Sequence, residues 1–79
     1  MTQPADRRRP TFSPREIEVL EMAALGLTNA QIAVRLRLSV HAIKFHLAAA
    51  YRKLGVANRT EAAVAFTRHP ELAQRSDVS

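Results

Sequence analysis

From Ser39 to Leu54 the chain runs for sixteen residues without an acid, and this stretch limits the fold more than any other. Ile43, Leu47, Ala50 and Leu54 recur at steps of four, three and four, which sets them along one side of a 3.6-residue helix. His41, Lys44, Phe45, Ala48 and Arg52 fall on the other side. A helix that packs through one thin stripe and turns bases to solvent has the form to lie in a DNA major groove.

The preceding residues sharpen this reading. Thr28-Asn29-Ala30-Gln31 is a capping-box pattern, in which the Thr28 hydroxyl serves the amide three residues on and Gln31 reaches back. The short helix that follows, to Leu36, buries Ile32, Ala33 and Leu36. Arg37-Leu38 then makes a brief turn, and Ser39 caps the next helix. A short helix, a tight turn and a longer second helix form a helix-turn-helix.

Scaffold surrounds this unit. Ser13-Pro14-Arg15-Glu16 starts a first helix, with Ser13 as cap and Glu16 closing the box. Ile17, Leu20 and Ala24 point inward, and Gly26 ends it. Gly55 is the left-handed stop of the long helix. Asn58-Arg59-Thr60-Glu61 is a further capping box opening a fourth helix. The sequence therefore predicts an all-α, four-helix domain with helices at about 13–25, 28–36, 39–54 and 58–68. It occupies residues 12–70, between a basic arm (1–11, with Arg7-Arg8-Arg9) and a polar tail (71–79), both expected to be mobile.

Charge is unevenly placed. Arg35, Arg37, Lys44, Arg52, Lys53 and Arg59 lie within residues 26–60, where there is no acid, so the basic block coincides with the helix-turn-helix. That suits a polyanionic partner. With 79 residues and no Cys, the chain allows one small domain without disulfides or thiolate metal sites, at home in a reducing cytoplasm. His41, His46 and His69 lack metal-ligand spacing. There are no paired inward acids and no Gly-rich phosphate loop, so neither an enzyme nor a cofactor or small-molecule site is expected. No apolar run approaches the ~20 residues of a membrane span.

Many spaced residues resemble the LuxR-type (GerE-like) DNA-binding domain of bacterial transcription regulators. They are Ser13-Pro14-Arg15-Glu16, Glu18-Val19-Leu20 and Gly26; Thr28 to Ala33, Leu36, Leu38 and Ser39; Ile43 to Leu47; Lys53 to Val56; and Asn58 to Ala62. The resemblance implies a homodimer, weak without DNA, on paired half-sites of double-stranded DNA. It also implies a receiver or sensor domain ahead of the module. Thr28, Asn29, Ser39, His41, Lys44, Phe45, His46, Ala48, Arg52 and Lys53 are the candidate DNA contacts. Lys44 and Lys53 are expected to be exposed. His46 either contacts phosphate or braces the turn. Phe45 either packs on thymine methyl groups or folds back into the core.

The resemblance further implies pairing through the fourth helix, where Ala62, Val64 and Ala65 are expected to face outward while Ala63 and Phe66 face the core. It also implies an ion pair between Glu16 and Arg59. The chain departs from the family pattern at Ala42, Ala48 and Ala49, where polar side chains are usual. These alanines keep an alternative in view: a protein-interaction module of the same fold with weakened base reading.

Overall fold

The computed structural model describes residues 11–69, within which four helices follow one another. They are α1 (Pro14–Ala24), α2 (Asn29–Leu36), α3 (Val40–Leu54) and α4 (Arg59–Arg68). No strand occurs among the described residues. The expected spans differ only by the capping residues at their ends. Most of the arm and all of the tail read from the sequence, including Arg7-Arg8-Arg9, lie outside the described residues.

Capping side chains fix where each helix begins. Ser13 Oγ accepts from the Glu16 amide at 3.1 Å while Glu16 Oε1 accepts from the Ser13 amide at 2.9 Å. Thr28 and Gln31 make the same reciprocal pair at 3.1 and 2.8 Å. Ser39 Oγ accepts from the Ala42 amide at 3.0 Å. Each bond satisfies a donor that the helix itself leaves open. The fourth box closes differently from expectation. Asn58 Oδ1 accepts from the Glu61 amide, but the Glu61 carboxylate accepts from Ala57, one residue ahead of the cap. Asn58 is more extended than the other caps (φ −154°, against −75° at Ser13 and Thr28), which brings the preceding amide to the carboxylate instead of its own.

Three helix ends share one closure. The amides of Leu27, Leu38 and Val56 reach the carbonyls of Met22, Ala33 and Tyr51, five residues back. In each case the residue just before the donor has positive φ: Gly26 at 97°, Arg37 at 59° and Gly55 at 74°. This is the Schellman turn, for which glycine is the unstrained choice. Arg37 is the exception, and it forms the turn of the helix-turn-helix.

α1 sits between two apolar clusters. Ile17 and Leu20 join Phe12, Ala50 and Ala62, flanked by Tyr51, Leu54, Val56 and Phe66. Val19 and Ala23 join Ile32, Ala33, Ile43 and Leu47. Because α1 is covered on both sides, Val19 and Ala23 are buried while Ala24, expected inward, is half-buried. Tyr51 touches both clusters, so α3 is held against the whole length of α1.

α4 is rotated by one residue from expectation. Ala62 is only 2% exposed and packs with Phe66 on the first cluster, whereas Ala63 is half-buried. Residues 62 and 66 share a face at a step of four, and only the smallest side chain lets α4 approach α1 closely at 62. Ala62 is therefore not part of an outward patch. Val64, 49% exposed, stands outward with Thr60, Glu61, Thr67 and Arg68, and Ala65 lies half-buried on its flank. No helix among the described residues is long and apolar enough to cross a membrane.

Candidate nucleic-acid interface

The stripe Ile43, Leu47, Ala50 and Leu54 fixes the rotation of α3. Ile43, Leu47 and Ala50 are buried and Leu54 is half-buried. The ridge offset by two positions, His41, Phe45, Ala48 and Arg52, is exposed throughout and repeats the same steps of four, three and four. Phe45 is 69% exposed, so it does not belong to the core. Its ring meets that of His46 edge-on, with centroids 5.8 Å apart and planes at 72°.

One flank of the ridge is open. Val40 and Lys44, one turn apart, line a shallow cleft with Gly26 to Ala30 and Arg59. The cleft brings Thr28, Asn29 and Lys44 of the expected set together. Val40, 41% exposed, was not foreseen, although its step of four from Lys44 is a signal that could have found it. Ser39 is exposed at the α3 N-cap.

The other flank faces α1 and is occupied. Lys53 Nζ donates to Glu16 Oε1 at 2.7 Å and lies 5.8 Å from the centroid of the Phe12 ring. The expectation of an exposed lysine is corrected: the Lys53 side chain is 35% exposed and committed to an acid that is itself 10% exposed. Burial pushes the Glu16 carboxyl up. The Lys53 and Ser13 hydrogen bonds, with the charges of Lys53 and His46, outweigh it and hold the carboxyl below its ordinary value. His46 is half-buried on this same flank. Ala49 is buried here and Ala42 half-buried, so both pack where presented polar groups were considered from sequence. Ala48 alone of the three alanines is exposed.

Arg59 does not pair with Glu16. Its Nη1 donates to the Leu27 carbonyl at 2.8 Å and its Nη2 donates to Asn29 Oδ1. The fork of a guanidinium fits two neighbouring acceptors, and the Glu16 carboxylate is already used by Ser13 and Lys53. Arg59 thus ties the start of α4 to the start of α2. No acid lies on α2 or α3, so the exposed ridge, the cleft and the intervening turn carry only neutral and basic side chains.

A family model described as bacterial regulatory proteins, luxR family, matches residues 10–66. The quorum sensing-dependent transcriptional regulator RpaR of Rhodopseudomonas palustris is 48% identical over 62 residues, covering 78% of this chain and 26% of that protein. The transcriptional activator RaiR of Rhizobium etli is 50% identical over 52 residues, covering 66% and 22%. A nitrate/nitrite response regulator homologue of Haemophilus influenzae is 39% identical over 61 residues, covering 77% and 29%. The chain spans about a quarter of the length of these relatives. No solved structure matches it closely enough for comparison.

Proposed function

This chain belongs to the luxR family of bacterial regulatory proteins, and we propose that it reads duplex DNA by docking α3 in the major groove. Members of the family bind DNA to regulate transcription and are not enzymes. The observation that carries the reading is the exposed ridge of α3, His41, Phe45, Ala48 and Arg52, flanked by Lys44 and free of acids. At 15 residues α3 is about 22 Å long, enough to cross a groove about 12 Å wide.

Within this arrangement Lys44 and Arg52, about two turns apart on α3, reach phosphates or base edges. Thr28, Asn29 and Ser39 set helix N-termini toward phosphates on either side. His41 lies at the N-terminal end of the ridge, where recognition helices approach base edges. Lys53, held by Glu16, and His46, beside it, position α3 rather than reach outward. Two protomers pair through α4 around Val64 and Ala65, weakly without DNA, so that two α3 helices meet successive half-sites. A receiver or sensor domain ahead of this module, as the resemblance implies, would supply the input signal. The alternative of a pure protein-interaction module rested on Ala42, Ala48 and Ala49, and two of these three pack against the domain.

Amide chemical-shift mapping during titration with a duplex tests the reading. Shifts should gather at residues 28–29, 39–41, 44–45, 48 and 52. Shifts gathered instead around Glu21, Leu25 and Phe66, on the groove between α1 and α4, would overturn it.

A further inference from the structure

We infer that this domain reads thymine through its 5-methyl group, with Phe45 and Ala48 as the specificity-determining side chains. The inference rests on the groove docking proposed above and names what the docked ridge recognises.

The ridge of α3 has polar ends, His41 and Arg52, and an apolar middle, Phe45 and Ala48. A phenyl ring offers no conventional hydrogen bond, so it cannot select guanine, cytosine or adenine by donor and acceptor pattern. Thymine is the one standard base whose major-groove edge carries an apolar group, and Ala and Phe side chains are suited to contact it. Phe45 is left 69% exposed by its own domain, and its edge-on contact with His46 does not cover the ring. Ala48 lies three residues on, adding a methyl group of its own while leaving room for a base edge to approach. Charge decides what covers this patch. Lys44 and Arg52 flank it and neither α2 nor α3 carries an acid, so the complementary surface is a polyanion with apolar points on it, not an apolar protein face.

The probe is a duplex that the domain itself selects from a random synthetic pool. Such a pool contains no 5-methylcytosine, so every methyl group in the groove comes from thymine. Each thymine is then replaced in turn by deoxyuridine, which removes one methyl group and leaves the pairing unchanged. At the contacted positions affinity should fall about four-fold per methyl. Phe45→Ala should bring the thymine-to-uracil ratio toward one at the position that the ring contacts, whereas Lys44→Ala should weaken binding to every duplex and keep each ratio. Because Phe45 is exposed, helix content should be unchanged in its variant. Equal affinity of the wild-type domain for both duplexes would overturn the inference. So would ratios that Phe45→Ala leaves unchanged at every thymine, since the methyl would then act without the ring. Failure to select any duplex would instead overturn the docking itself.

Discussion

Lys53 on α3 and Glu16 on α1, 37 positions apart in sequence, meet at 2.7 Å through the same carboxylate oxygen that caps the start of α1. One oxygen thus closes a local capping box and anchors the reading helix to the scaffold. The double-mutant cycle Glu16→Gln with Lys53→Ala should show a coupling of about 1 kcal/mol, more than an exposed pair because Glu16 is buried. Urea unfolding measures it, and additive losses would refute the link.

The same pair sets a pH dependence. The folded carboxyl of Glu16 lies below its ordinary value of 4.5, so it binds protons less readily than in the unfolded chain. Its contribution is therefore fully present above pH 4.5 and fades as pH falls through the depressed folded value. In Lys53→Ala the burial remains while the strongest compensating partner is gone, so the carboxyl should titrate at higher pH. Carbon-detected NMR titration of Glu16 reads this directly. An unmoved titration in the variant would contradict the assignment.

Arg59→Ala removes two donors from the start of α2, one to the Leu27 carbonyl and one to Asn29. It should cost about 1–3 kcal/mol and speed hydrogen exchange at the start of α2. Glu16→Gln and Arg59→Ala should be additive, because the two side chains have different partners. Coupling between them would restore the ion pair that the family resemblance implied.

Arg37 occupies a left-handed position that Gly26 and Gly55 fill at the other two closures. Arg37→Gly should stabilise the domain by about 0.5–1 kcal/mol, the relief of backbone strain less the greater flexibility of glycine when unfolded. Gly55→Ala should cost about 1 kcal/mol from backbone conformation alone, since a Cβ there meets nothing within 4 Å. Thermal unfolding of both variants checks the pair, and destabilisation by Arg37→Gly would show that the Arg side chain has a structural partner.

Much of this architecture was legible from short-range rules. Caps at Ser13, Thr28 and Ser39, stops at Gly26 and Gly55, and the stripe from Ile43 to Leu54 depend on residues within five positions of each other. They gave the helices and the outward face of α3. What was missed depends on packing between distant segments. The partners of Glu16 and Arg59 lie about 30 or more positions away, where side-chain spacing carries no information. The apolar run from Ala62 to Phe66 has no polar break to mark its inner face, so the rotation of α4 was open by one residue. The Ala49 position looked like a lost contact because burial on the α1 flank of α3 appears only once α1 is in place.

Val64 is the exposed apolar centre of the outward face of α4. If α4 pairs, Val64→Glu places like charges near the two-fold axis. Cooperative binding to a duplex with two half-sites should collapse while binding to one half-site persists. Retained cooperativity, read by gel shift, would move the pairing surface elsewhere.

If the acid-free face of α3 meets the phosphates of duplex DNA, affinity must fall as salt rises. Anisotropy titrations of a labelled duplex between about 50 and 200 mM salt should give a log–log slope near −0.9 for every phosphate neutralised. Lys44→Ala and Arg52→Ala should each flatten that slope by about one unit without loss of helix content. An affinity independent of salt, or a slope that neither substitution changes, would show that this face of α3 does not meet phosphate.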